Sequence, residues 1–127
     1  MAINVLIVDD SAGTRMVIER AIRLSGDDIG DIRHAANGQE ALLALREVWI
    51  DMIFSDVNMP VMDGWEFIRR VRETEIWSSI PIAAITSLRG EEARSSLHDL
   101  GATTYHSKPL SPENIVSIFT EMKARLT

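Results

Sequence analysis

The chain of 127 residues carries a net charge of −6, is 46% hydrophobic and 25% charged, and contains no cysteine. That length holds one domain of ordinary size (about 150 residues) with enough apolar side chains to bury a core, and the composition excludes a disordered tail or a collagen-like repeat. The acidic balance argues against nucleic acid, which needs a basic face to displace counterions, and the missing thiols exclude disulfides, thiolate metal sites and a cysteine nucleophile. Apolar runs such as Val5–Val8 and Ile82–Ile85 fall far short of the roughly 20 residues that span a bilayer. The start, Met1-Ala2-Ile3-Asn4, lacks the basic-then-apolar pattern of a signal peptide. A cytoplasmic location is expected, and a cysteine-free chain fits a reducing compartment.

One unit recurs along the chain: a short apolar run, a turn, then a segment with helical spacing. Ile3–Val8 is apolar at five of six positions and stops at Asp9-Asp10-Ser11-Ala12-Gly13, after which Val17, Ile18, Ala21 and Ile22 share one helix face. A weak run over Ile32–Ala36 ends at Asn37-Gly38. Asn37 suits an N-cap, Glu40 stands where a capping box needs it, and Ala41, Leu42 and Leu45 form the inner face that follows. Met52–Ser55 is the third run and ends at Asp56; a loop with Pro60 and Gly64 then leads to a helix with Phe67, Ile68 and Val71 inward. Pro81–Ile85 ends at Thr86, and Ala93, Leu97 and Leu100 mark a helix that Gly101 terminates. Ala102–Ser107 makes a fifth run, polar for an inner strand. Ser111 can cap the last helix, Pro112 suits its first turn, and Ile115, Ile118, Phe119, Met122 and Leu126 form one stripe.

Five alternating units imply a parallel sheet with helices on both faces, whose sites form beyond the carboxyl ends of the strands. Those positions hold Asp9 and Asp10 after the first run, Asp56 after the third, Thr86 after the fourth and Lys108 after the fifth. If the strand order is 2-1-3-4-5, the first and third strands are about 4.8 Å apart and three carboxylates share one cleft. Like charges so close resist joint ionisation unless a cation joins them, and hard oxygens suit Mg²⁺. Lys108 offers an ammonium for phosphate and Thr86 a hydroxyl. A carboxylate there can itself be the nucleophile and form an aspartyl phosphate, with Asp56 best placed because it is central.

Asp9-Asp10-Ser11, the stretch Asp56-Val57-Asn58-Met59-Pro60-Val61-Met62-Asp63-Gly64, Ile85-Thr86-Ser87, Gly101-Ala102 and Tyr105…Lys108-Pro109 stand in matching order and spacing over essentially the whole chain. Together they resemble the response-regulator receiver domains of two-component signalling, and the stand-alone chemotaxis-type regulators most of all. The resemblance implies an α/β, flavodoxin-like (βα)5 doubly wound parallel sheet in strand order 2-1-3-4-5, with residues 1–127 as a single receiver domain. It implies that Asp56 accepts a phosphoryl group from a sensor histidine kinase or a histidine phosphotransfer protein. Asp10 would bind Mg²⁺ directly, Asp9 largely through water, and Asp56 and the backbone carbonyl of Asn58 would complete the metal site. Lys108 would contact the phosphoryl oxygens, Thr86 would move to hydrogen-bond the group, and Tyr105 would turn inward behind it. The Lys108–Pro109 bond would be cis, the isomer of about 5–6% of X–Pro bonds. Leu88 stands where some relatives carry a charged residue that affects dephosphorylation; with Asn58 it is expected to influence how long the phosphoryl group lasts.

Simpler roles exist for the same residues. An Asp after a strand is often only a helix cap, and Thr86 alone reads as a turn residue. Tyr105 alone reads as a half-buried strand aromatic. Arg69, Arg70 and Arg72 read as a solvated helix face or, less readily, a docking patch. His34, His98 and His106 show no ligand spacing, and His106 stands where the family usually has an apolar residue. Trp49, Trp65 and Trp77 are expected to cover core edges, with an exposed Trp65 as a candidate partner contact.

The resulting expectation is a phosphorylation-controlled binding module. It catalyses only its own phosphorylation and dephosphorylation and speaks to a downstream protein through the face of the fourth helix, fifth strand and fifth helix. It is expected to be a monomer or weak homodimer, without nucleic acid or membrane. The alternatives are a Mg²⁺-dependent phosphohydrolase with an aspartyl nucleophile, and a receiver fragment of a longer regulator or hybrid kinase. A flavin or nucleotide binder would want a glycine-rich or Ser/Thr-rich loop where Asp9-Asp10 stand.

Overall fold

Strands and helices alternate from end to end in a computed structural model that describes residues 2–59, 61–87 and 91–126. They are β1 Ile3–Val8, α1 Ala12–Arg23, β2 Ile29–Ala35, α2 Gly38–Glu47, β3 Met52–Asp56, α3 Gly64–Glu73, β4 Ile82–Thr86, α4 Glu91–Leu100, β5 Thr104–Ser107 and α5 Pro112–Lys123. The strands form one parallel sheet in the order β2-β1-β3-β4-β5. Among the described residues, no helix is long and apolar enough to cross a membrane.

Both sheet faces are covered, so the inner strands are apolar at consecutive positions. Leu6, Val8, Ile53 and Ala84 point to one face and pack against Leu42, Leu45, Phe67, Ile68, Val71 and Leu97 of α2, α3 and α4. Val5, Ile7, Phe54 and Ala83 point to the other and pack against Ile18, Ile22, Ile115, Phe119 and Met122 of α1 and α5. The two runs that read poorly as inner strands, β2 and β5, are the sheet edges. Their partial exposure explains their polarity.

The local signals act with some shifts. β2 begins at Ile29 and ends at Ala35, so Ala36 falls outside it. Asn37 caps α2 as expected, accepting from the Glu40 N–H at 2.9 Å, but the Glu40 carboxylate accepts from Ala36 N, one residue before the cap. A complete capping box forms instead at α5, between Ser111 and Asn114. Gly64 is the first residue of α3 rather than part of the loop.

Two surface readings are corrected. Arg72 does not lie on a solvated face: its guanidinium donates to Gly101 O at 2.8 Å and Ser78 O at 3.1 Å, and reaches Thr103 Oγ1 at 3.4 Å. Burial lowers its pKa. Gly101, at φ 120°, leaves room for it, since a Cβ there would sit 2.6 Å from Arg72 Cγ. Arg69 and Arg70 do face solvent, paired with Glu73 and Glu66 one turn away. Trp65 is half-buried against the core, whereas Trp49 is 51% exposed. Pro60 and Leu88 lie outside the described residues.

Candidate functional site

β1 and β3 run side by side, Val8 opposite Ser55, so the segments after them meet at one end of the sheet. Helix capping is not what their carboxylates do. Ser11 caps α1, accepting from Thr14 N at 3.2 Å, and Asp63 caps α3, accepting from Glu66 N at 3.0 Å. Asp9, Asp10 and Asp56 cap no helix, though Asp9 Oδ1 accepts from the N–H of Ser11 at 2.8 Å, and the three converge. One carboxylate oxygen from each lies within 4.8 Å of those of the other two. Asp9 and Asp56 are only 2% and 5% exposed, while Asp10 is exposed.

Lys108 enters this cluster from just beyond β5. Its Nζ lies 2.9 Å from Asp9 Oδ2 and 3.3 Å from Asp56 Oδ2. Its backbone N–H donates to Thr86 O at 2.8 Å, which anchors the end of β5 to β4, and the Lys108–Pro109 peptide is cis. Asp56 Oδ1 accepts from the N–H of Val57 at 2.8 Å and from that of Asn58 at 3.4 Å. That leaves Oδ2 facing the ammonium.

The charges do not balance. Burial, and then the neighbouring Asp9, raise the pKa of Asp56, and Lys108 only partly offsets them. For Lys108, burial alone would lower the pKa, but Asp9 and Asp56 outweigh it and the net direction is up. One protonated ammonium therefore stands beside Asp9 and Asp56, with a third carboxylate, Asp10, in the same cluster. Three hard oxygen donors with an excess of negative charge fit a small divalent cation such as Mg²⁺.

The remaining expected residues surround this cluster. Ala84 lies opposite Tyr105 and Thr86 opposite Ser107, so by strand alternation Thr86 and Tyr105 point to the same sheet face, the one that α4 covers. Thr86 is fully buried. Tyr105 is half-buried with the Arg94 guanidinium 5.3 Å from its ring centroid. Asn58 is exposed at the loop that leaves Asp56. His106 points away from the cluster, with Nε2 3.0 Å from Thr104 Oγ1, and burial lowers its pKa despite Glu121.

Three contributors were not legible in sequence. Gly64 looked like ordinary loop geometry. A Cβ there would stand 2.3 Å from Asp56 O and 2.6 Å from Val57 Cα, so glycine is what lets α3 begin against the end of β3. Gly38 N donates to Met62 O at 2.9 Å and clasps the same loop from the start of α2. Between these clasps Val61 sits at φ 67°, a conformation β-branched residues rarely adopt, and strain of this kind gathers at functional loops. Arg15 is the third: its Nη1 donates to Asp9 O at 2.5 Å. No motif or periodicity marks it.

This arrangement has close counterparts. At 31% identity over 123 residues, the chain is similar to Response regulator Rre1 of Synechocystis sp., covering 97% of itself and 52% of that protein. At 37% identity over 108 residues it is similar to a protein-glutamate methylesterase/protein-glutamine glutaminase 1 of Syntrophomonas wolfei, covering 84% of itself and 30% of that protein. The chain thus spans about half the length of the first relative and under a third of the second. The structure of chemotaxis response regulator CheY4 of Vibrio cholerae superposes with a TM-score of 0.87 at 33% identity, over 96% of this chain and 99% of that one. The model of the response regulator receiver domain family matches residues 5–120. With the 2-1-3-4-5 sheet and the acidic cluster at its carboxyl end, this match establishes that the chain belongs to the response regulator receiver domain family.

Proposed function

We propose that this domain accepts a phosphoryl group on Asp56 from the phosphohistidine of a kinase or phosphotransfer protein, and that the modified Asp56 switches its contacts with a downstream protein. The observation that carries the reading is the convergence of Asp9, Asp10, Asp56 and Lys108 at one strand end, with Asp56 buried at the centre. In the transfer, the P–N bond to imidazole breaks and a P–O bond to Asp56 Oδ2 forms; the imidazole regains its proton from solvent. Hydrolysis later breaks that P–O bond by attack of water at phosphorus and restores the carboxylate.

The residues contribute mainly by position and charge. The N–H groups of Val57 and Asn58 hold Asp56 Oδ1, so the carboxylate need not reorient during transfer. Lys108, already facing Oδ2, lies where it can follow the negative charge onto the phosphoryl oxygens. Asp9, Asp10, Asp56 and the Asn58 carbonyl are the groups that would hold Mg²⁺, which when bound offsets the charge on those oxygens. Buried Thr86 lies at the adjacent strand end, and Tyr105 shares its face. New charge on Asp56 therefore has a short path to the surface of α4, β5 and α5, where we place the output contact, with the oligomeric form a monomer or weak dimer.

The test is to incubate the pure protein with Mg²⁺ and acetyl phosphate and record its intact mass beside Asp56→Asn. One phosphoryl adduct that needs Mg²⁺ and is absent in the variant supports the reading. An adduct that persists in Asp56→Asn overturns the assignment of the acceptor. Multiple turnover on a phosphate ester would instead support a phosphohydrolase.

A further inference from the structure

Arg15, Glu19 and His34 form a short relay that ends on the acidic turn. Arg15 and Glu19 lie one turn apart on α1, and His34 lies in β2 opposite Ile7 of β1. Arg15 Nε donates to His34 Nδ1 at 3.2 Å, and His34 Nε2 lies 2.5 Å from Glu19 Oε1. A ring nitrogen that accepts from a guanidinium carries no proton, so the hydrogen sits on Nε2 and is donated to Glu19. The other Glu19 oxygen is held by Arg23 at 3.0 Å. The hydrogen bond from His34, then that from Arg23, lowers the Glu19 pKa and keeps it a carboxylate. Each member of the chain is therefore oriented by the one before it.

The far end is the peptide that joins Asp9 to Asp10. Arg15 Nη1 donates to Asp9 O at 2.5 Å. That bond belongs to neither the sheet nor the helix: β1 is paired through Asp9 N to Ala35 O, and α1 is capped by Ser11. Asp10 is exposed, and its carboxylate makes no hydrogen bond or ion pair to the described residues. Two bonds hold the backbone on either side of it: Arg15 on the Asp9 carbonyl before it, and Asp9 Oδ1, which accepts from the Ser11 N–H after it at 2.8 Å.

We infer that Arg15, oriented by His34 and Glu19, is a positioning residue that sets the affinity of the Asp9–Asp10–Asp56 cluster for its divalent cation. This rests on the metal-binding reading above and goes beyond it by tying affinity to residues outside the cluster. Groups one step removed from a metal ligand commonly change affinity by roughly tenfold or more when lost.

The experiment titrates Mg²⁺ calorimetrically into the unphosphorylated protein, so it does not pass through phosphoryl chemistry. Arg15→Ala is expected to bind roughly tenfold more weakly and to shift the metal-free amide resonances of Asp10 and Ser11. Arg15→Lys keeps the charge and the stem but cannot span both acceptors; it tests the same point with less risk to folding and is expected to weaken binding about threefold. His34→Ala is expected to lose about threefold, and to add nothing further in the Arg15→Ala background, because both act through one bond. Glu19→Gln, which keeps an acceptor for His34, should restore near wild-type affinity relative to Glu19→Ala. Unchanged affinity in Arg15→Ala or Arg15→Lys overturns the inference, as does an additive loss in the double variant. No Mg²⁺ binding by the wild type overturns the metal reading and the inference with it.

Discussion

The two ends of the sheet use the same residue types to opposite effect. At the amino ends of the strands, the side chains of Asn4, Trp49 and Asp51 satisfy one another and nearby backbone groups. Asp51 accepts from Asn4 N at 2.8 Å and from Trp49 Nε1 at 3.0 Å, while the Asn4 side chain donates to Trp49 O and accepts from Asp31 N, both at 2.8 Å. At the carboxyl ends, Asp9, Asp10 and Asp56 crowd together, and one ammonium is the cation that Asp9 and Asp56 share. The first set stitches β1 to β2 and to the segment entering β3. The second leaves like charges only partly relieved by Lys108, which is costly to the fold and is the arrangement that the proposed function uses.

Two glycines test this contrast most strongly. A Cβ at Gly64 or at Gly30 would each stand 2.3 Å from an oxygen, but at Gly64 that oxygen is the Asp56 backbone carbonyl, whereas at Gly30 it is the Asn4 side chain. Gly64→Ala is expected to destabilise by about 3 kcal/mol and to slow phosphorylation; Gly30→Ala should lose about 1 kcal/mol and leave phosphorylation intact. Urea midpoints of both variants decide it, and equal losses would mean that the site end is no more rigidly built.

Lys108→Met leaves two buried carboxylates facing each other without their cation. The loss should be about 2 kcal/mol, at the low end for such pairs because Lys108 is 28% exposed. It should shrink as the pH falls, because proton uptake by Asp56 removes one of the two unpaired charges, and partly recover in saturating Mg²⁺.

Asp56→Asn should move the other way. The folded pKa of Asp56 is raised above its ordinary value of 3.8, so above that pH the native state holds a proton that the unfolded state has released. Wild-type stability therefore falls as pH rises through that window, and the loss persists at neutral pH. Without metal, Asp56→Asn should be more stable at pH 7 by on the order of 1 kcal/mol, with a flatter profile from pH 4 upward. Thermal melts across that range check the sign.

Asp51→Asn is the smallest effect. Asn keeps a carbonyl for one of the two donors, and the partly exposed site limits the loss to about 0.5 kcal/mol. Mg²⁺ affinity should not change; a change would couple the two ends.

Much of this was legible from residue order. Apolar runs, capping residues and helical stripes marked all five units, because burial on two faces and unsatisfied helix ends leave local traces. Asp9, Asp10, Asp56, Thr86 and Lys108 stood out as polar residues placed where strands stop, and parallel strands bring those stops to one edge. Pattern alone could not separate a carboxylate that caps a helix from one left over. In the folded chain Ser11 and Asp63 do the capping, which separates the two. Nor could it show that Arg72 is clamped by Gly101 and Thr103, residues about thirty positions away, or that Arg15 reaches the Asp9 carbonyl through a side chain oriented by β2. Periodicity reports which face of an element is buried. It carries no record of which distant backbone groups a long side chain will meet, and those meetings are decided by how α1, α3 and the sheet edges pack.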